Sequence, residues 1–178
     1  MNQSITSKAF AIWITGLPAS GKSTIATALK PQLEGLGLTV EVLESDELRR
    51  VITPTPTYSE AERDVFYRAV AFTGQRLVAH GVTVVFDATA SRRIYRDFAR
   101  SLIPRFIEVA VECPLITCME RDRKGTYRKG QCGESLTVPG LQSPYEAPIK
   151  PALRINTAIT SSGDAARQIF ELVKATLL

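Results

Sequence analysis

The residues Gly16-Leu17-Pro18-Ala19-Ser20-Gly21-Lys22-Ser23 satisfy the pattern GxxxxGK[ST] without a mismatch. Each position has a physical use. Glycines let backbone N–H groups turn inward around phosphate oxygens, and a following helix presents its positive N-terminal end to them. Lys22 is placed to bridge the β- and γ-phosphates, and Ser23 to set its hydroxyl on Mg²⁺. The expected ATP contacts are therefore Gly16, Ala19, Ser20, Gly21, Lys22, Ser23 and Thr24. The pattern follows a strand-like run, Phe10-Ala11-Ile12-Trp13-Ile14, and opens a helix-like segment, which is the context such a loop requires. A Gly-rich strand–helix turn without ligand is the plain alternative. No NKxD-type guanine-reading segment occurs, so the nucleotide is expected to be ATP and the chemistry phosphoryl transfer.

Two carboxylates follow at places suited to metal and proton work. Asp46 lies just past a strand-like segment, Thr39 to Leu43, in the acidic turn Glu44-Ser45-Asp46-Glu47. Asp87 closes another, Val82 to Phe86. In an open α/β sheet the carboxyl ends of the strands face the ligand crevice. Asp87 is thus a candidate to hold Mg²⁺ through water, and Asp46 a candidate catalytic group; either could instead cap the next helix. Arg49 and Arg63 flank a Pro-rich loop and are placed to clamp an anionic acceptor, although such side chains commonly lie along a solvated helix face.

These groups need a scaffold, and the hydrophobic pattern describes one. Apolar runs alternate with helix-period segments, which argues a five-stranded parallel sheet with helices on both faces. The first helix starts near Gly21 with Ile25, Leu29 and Leu33 as its inner stripe, and Pro31 is expected to bend or end it early. Residues 53 to 58, with Pro54 and Pro56, form a loop. Ser59 and Glu62 make a capping box that starts a long helix running to about His80, stopped by Gly81. Later strands are expected at Phe106 to Val111 and at Leu153 to Asn156, and a last helix from about Asp164 to Leu177. Between them, residues 124 to 151 are rich in Lys, Arg, Gly and Pro and are expected to form an extended functional lid.

Composition bounds the rest. The 178 residues, 44% hydrophobic and 22% charged, fit one ordinary globular domain spanning 1–178. The net charge is +4, with 15 Arg against 7 Lys, a bias toward the residue whose planar fork matches phosphate and sulfate oxygens. The Arg residues are scattered without interleaved aromatics, so nucleic acid is not an expected partner. No apolar run approaches the roughly 18 residues of a membrane span. The N-terminus lacks a leader pattern, which leaves a cytoplasmic protein as the expectation. Cys113, Cys118 and Cys132 read as reduced packing thiols. The one histidine, His80, excludes Ser-His-Asp chemistry on inventory and reads as a helix C-terminal residue.

Beyond these motifs the chain resembles the adenylylsulfate kinases, P-loop enzymes that phosphorylate the ribose 3′-hydroxyl of adenosine 5′-phosphosulfate. The likeness is collinear from about Ile12 to Thr157. It rests on Arg96-Asp97-Phe98-Ala99-Arg100 and Phe106-Ile107-Glu108-Val109, and above all on Arg121-Asp122-Arg123-Lys124-Gly125-Thr126-Tyr127, Gly133-Glu134 and Ser143-Pro144-Tyr145-Glu146-Ala147-Pro148. The resemblance implies a P-loop kinase strand order, a nucleotide acceptor and a homodimer. It also implies that Asp46 orients and deprotonates the acceptor hydroxyl, that Arg49 and Arg63 hold the acceptor, and that Tyr58 stacks on its adenine. Arg121 would lie near the ATP base.

Departures cluster on the acceptor side. The family's Asp-Gly-Asp is here Glu44-Ser45-Asp46, an asparagine is replaced by Phe66, and a serine by Ala90. Asp87 stands where a small polar residue is usual, and a lid lysine and aromatic become Leu136 and Val138. Phe66 shares a helix side with Val70 and Leu77 and could be core. Two other readings therefore remain open from the residues: a kinase of the same scaffold acting on another hydroxyl, and a nucleotide-binding module that transfers no phosphate.

Overall fold

The structure, a computed structural model, describes residues 9–178. The expectation about an N-terminal leader falls largely on residues outside that range. Five strands, β1 (Ala11–Gly16), β2 (Val40–Glu44), β3 (Thr83–Asp87), β4 (Phe106–Glu112) and β5 (Leu153–Asn156), form one sheet in the order β2-β3-β1-β4-β5. Every pairing is parallel. The strand that carries the phosphate loop is thus central, and its neighbours on either side, β3 and β4, arrive later in the chain.

Parallel strands need crossover helices, and these cover both faces of the sheet. Along β1 every residue is buried, because alternate side chains enter two different cores. Ile12 and Ile14 pack with Ile25, Leu29 and Leu33 of α1 (Lys22–Glu34) and with Ile169 and Val173 of α7 (Ser162–Thr176). Ala11 and Trp13 pack with Phe66 and Val70 of α3 (Glu60–Ala79) and with Tyr95 and Ala99 of α4 (Arg93–Leu102). In the second core the Phe86 ring lies 4.5 Å from that of Trp13, stacked at 20°. Phe86 also lies directly under Gly74, where a β-carbon would meet its ring at 2.2 Å. That glycine is required by close approach, since its φ is not positive.

The expected elements are present with small boundary shifts and four departures. The first is that α1 runs through Pro31 to Glu34. The carbonyl that loses its partner there is that of Thr27, which is exposed to water, and one further turn keeps Leu33 in the core. Second, the acidic turn opens a helix, α2 (Ser45–Ile52), whose only fully buried side chain is Arg49. Its single buried residue gives no apolar stripe to read. Third, α4 and α5 (Leu115–Glu120) follow β3 and β4.

The fourth departure concerns residues 124–151, which are not merely extended. They contain α6 (Thr126–Gln131), started by the Asp122 carboxylate, which accepts the N–H groups of Thr126, Tyr127 and Arg128 at 2.7 to 3.1 Å. Tyr127 and Val138 are buried with Cys118 in a small third core. The Tyr127 hydroxyl donates to the Pro18 carbonyl of the phosphate loop at 3.1 Å.

Other expectations hold. Ser59 caps α3, accepting the Glu62 N–H at 3.3 Å, and His80 is its C-terminal cap. The cysteines are free. Among the described residues no helix is long and apolar enough to cross a membrane.

Candidate functional site

The phosphate loop connects β1 to α1 in a backbone conformation that two left-handed residues impose, Ala19 at φ 57° and Gly21 at φ 101°. Only one of them is a glycine, so the turn does not depend on glycine at both places. Gly16 serves a different end: a β-carbon there would lie 2.4 Å from the Val111 carbonyl of β4, so its absence is a packing requirement between strands. Ser20 is fully buried, its hydroxyl without a hydrogen-bond partner among the described residues. Its carbonyl accepts from the Thr157 hydroxyl at 2.8 Å, which fixes the loop to the end of β5.

Lys22 turns its ammonium back over this loop, donating to the carbonyls of Gly16 at 3.1 Å and Leu17 at 2.8 Å. Burial lowers its pKa, against the opposing attraction of Asp87 and Asp46. Ser23, one residue on, lies beside Asp87, whose carboxyl is pushed up by burial and held down in part by Lys22 and Ser23. Asp87 is 3% exposed. Neither Asp46 nor Asp87 caps a helix: the N-caps of α2 and α4 are Glu44 and Arg92.

Asp46 sits in the first turn of α2 and accepts from the Lys124 ammonium at 2.6 Å, which also reaches Glu44 at 2.9 Å. Partial burial works against the Lys124 charge, but the hydrogen bonds to Asp46 and Glu44 outweigh it and raise its pKa. Lys124 thus draws the segment after α5 across the carboxyl end of β2.

Arg49 is 7% exposed and heavily constrained. Its Nη1 donates to Glu62 at 3.2 Å and to the Thr53 hydroxyl at 3.3 Å. Its guanidinium carbon lies 3.9 Å from the Phe66 ring centre and 4.9 Å from that of Tyr58. Arg63 donates from Nε to the Tyr58 carbonyl and from Nη2 to both oxygens of Thr137, so it ties α3 to the segment that follows α6. Arg121 donates from Nη2 to the Thr157 carbonyl at 3.0 Å.

All of these face one cleft of about 1220 Å³ at the carboxyl ends of the strands. From the loop, Ala19, Gly21, Lys22, Ser23 and Thr24 line it. Asp46, Arg49, Tyr58 and Arg63 line it from the β2 side, and Asp87 and Arg121 also reach it. Of the expected loop contacts, Gly16 and Ser20 are not among the residues that line it. Of the family departures, Glu44, Leu136 and Val138 line the cleft. Phe66 and Ala90 are fully buried in the second core and do not. Sequence reasoning missed Thr157, which lines the cleft and holds the loop, and Asp122, which organises α6. The only signal for either is position: Thr157 is the first residue after β5, and Asp122 stands four before Thr126.

Comparison with known proteins agrees with this geometry. The family model described as adenylylsulphate kinase matches residues 8–156. The adenylyl-sulfate kinase of Rippkaea orientalis is 36% identical over 160 residues, 90% of this chain and 88% of that one. A probable adenylyl-sulfate kinase of Archaeoglobus fulgidus is 39% identical over 148 residues, covering 83% and 96%. Among solved structures, the APS kinase of Mycobacterium tuberculosis in complex with AMPPNP and APS superposes with a TM-score of 0.87 at 31% identity, over 93% of this chain and 98% of that one. A gluconokinase of Sinorhizobium meliloti, at 19% identity and a TM-score of 0.60, shares the fold alone. Matched by the family model over residues 8–156 and by relatives 36% and 39% identical over most of its length, the chain belongs to the adenylylsulphate kinase family.

Proposed function

We propose that the protein transfers the γ-phosphoryl group of ATP to the ribose 3′-hydroxyl of adenosine 5′-phosphosulfate, giving 3′-phosphoadenosine 5′-phosphosulfate and ADP. One observation carries the reading: the phosphate loop and the Asp46–Arg49–Tyr58–Arg63 group line the same cleft. Its volume of about 1220 Å³ suits two nucleotides side by side.

Lys22 leaves the Gly16 and Leu17 carbonyls for the β- and γ-phosphate oxygens, where its charge is strongest in the transition state. Asp46 accepts the 3′-hydroxyl proton as that oxygen bonds to the γ-phosphorus and the bond to the ADP oxygen breaks. To act as a base, Asp46 must part from Lys124, and anionic phosphates offer that ammonium a competing partner. The donors beside the loop fit Mg²⁺: Ser23 and Asp87 bring hard oxygens to the same cleft, and Mg²⁺ takes one or two such ligands with waters and phosphates. Held by Ser23 and Asp87, Mg²⁺ would supply charge neutralisation at the phosphate oxygens. Arg49 and Arg63 hold the anionic bridge of the acceptor, Tyr58 its adenine, and Arg121 the base of ATP. In this reading the protein works in the cytoplasm as a homodimer, which sedimentation of the purified protein tests.

The deciding experiment is incubation of the wild-type protein with Mg-ATP and adenosine 5′-phosphosulfate, followed by separation of nucleotides. The expected product is the 3′-phosphorylated acceptor with one ADP per turnover. Phosphorylation of another hydroxyl compound, with none of this product at millimolar acceptor, leaves a kinase with a different substrate. ATP binding without any transfer leaves a nucleotide-binding module.

A further inference from the structure

Phe66 is a core residue that does not line the cleft, yet it lies against a side chain that does. The Arg49 guanidinium sits on it at 3.9 Å, much closer than on Tyr58 at 4.9 Å or Tyr67 at 5.9 Å. Phe66 itself is fully buried, its ring edge-on to Tyr67 at 5.1 Å and 73°, so its plane is fixed by packing. A rigid aromatic face therefore meets a nearly desolvated cation, the setting in which a cation–π contact is strongest.

The donors of Arg49 divide accordingly. Nη1 is committed to Glu62 and Thr53. Its Nε and Nη2 have no hydrogen-bond partner among the described residues, although Arg49 lines the cleft. Glu62 fixes one corner of the guanidinium, and three further contacts hold Glu62: the Thr57 N–H at 2.5 Å, the Thr57 hydroxyl at 2.7 Å and the Tyr58 N–H at 3.3 Å. Tyr58 holds a left-handed φ of 54°, a costly conformation for a tyrosine, which sets its ring opposite Arg49. One corner and one face thus define the plane of the fork, and its remaining N–H edge is left for an anion.

We infer that Phe66 is a positioning residue for the acceptor: its ring face fixes the Arg49 guanidinium so that the Nε–Nη2 edge meets the anionic bridge of the acceptor nucleotide. Phe66 makes no contact with the substrate and acts through Arg49. This rests on the reading of the cleft given under Proposed function. It also accounts for an aromatic residue at a position where the resemblance leads one to expect an asparagine. A fixed plane replaces a hydrogen bond.

The test replaces Phe66 with phenylalanine bearing one, two or three ring fluorines, which weakens the negative face of the ring with little change of shape. Steady-state constants are measured for both substrates, with Tm. The acceptor KM should rise stepwise with fluorine number, by roughly five- to thirtyfold in total, while kcat, the KM for ATP and Tm stay level. Phe66→Leu, which removes the ring and keeps an apolar side chain, should raise the acceptor KM as far as the trifluorinated ring does. A flat acceptor KM across the series overturns the inference, as does a KM that moves only together with Tm, which would mark ordinary packing. If the wild-type protein does not turn over adenosine 5′-phosphosulfate at all, the functional reading fails and this inference fails with it. Turnover with a flat series removes the inference alone.

Discussion

Replacing Lys22 with methionine separates its catalytic part from its structural one. Methionine keeps the length and apolar stem of lysine and deletes the ammonium. In the transition state this removes a preorganised charge donor, worth about 2.7–4 kcal/mol, or about 10²–10³ in kcat. The ligand-free state responds differently. The carbonyls of Gly16 and Leu17 lose charge-assisted bonds at 3.1 and 2.8 Å, each worth about 1.5–3 kcal/mol in favourable cases. Against that, the side chain is 8% exposed and its pKa is lowered by burial, so a charge that is costly to hold is removed as well. The two oppose each other, and the net change should stay within about 1 kcal/mol, or roughly 2–4 °C in Tm for a chain of this size. Coupled detection of ADP release gives kcat and both KM values, and scanning fluorimetry gives Tm. Activity within tenfold of wild type in a folded Lys22→Met protein would refute the argument. So would inactivity accompanied by a Tm collapse of ten degrees or more, which would make Lys22 a pin for the loop.

The two carboxylates should also separate. Asp87→Asn should raise the Mg²⁺ concentration for half-maximal rate, whereas Asp46→Asn should lower the rate at saturating Mg²⁺; identical Mg²⁺ curves would overturn the division of labour. Burial first, and Cys113 second, push the Cys118 thiol up to about 12, so at pH 8 it is almost wholly protonated. Alkylation mapped by mass spectrometry should mark exposed Cys132 first and leave Cys118 unmodified; early labelling of Cys118 would show that the third core opens. In hydrogen exchange, residues 133–137 should gain protection when both nucleotides bind, while the buried Tyr127 region should be protected in either state. Equal protection throughout would make the whole segment structural. Gly74→Ala should cost about 1–3 kcal/mol through overpacking against Phe86, seen as a Tm loss of several degrees with substrate KM values unchanged.

The phosphate-loop side of the cleft was legible in the sequence because its pattern is local. A turn, a lysine and a hydroxyl within eight residues, between a buried strand and an amphipathic helix, leave little freedom in where the side chains point. The sheet was legible because β1 and β3 are buried on both faces and so appear as unbroken apolar runs. What escaped was set by contacts distant in sequence. Nothing around Arg49 reveals that Glu62 and Phe66 will hold it, since α3 brings them there only after a Pro-rich loop. Lys124 meets Asp46 across a sequence separation of 78, and α2 hides its helical character because it buries a single, charged residue. Pro31 misled for a different reason: its missing N–H matters little where the carbonyl it abandons faces water.

The contact between Gly74 and Phe86 binds two distant positions into one decision. A side chain at 74 is incompatible with a full aromatic ring at 86, because α3 and β3 approach to the ring's own thickness. Among descendants of this chain, then, residue 74 is free to enlarge only after residue 86 has shrunk, and Trp13, stacked on the ring, would lose its support in the interval. Substitution histories across this fold should show the two sites exchanging volume in that order, with the double replacement of Gly74 by alanine and Phe86 by leucine tolerated better than Gly74→Ala alone.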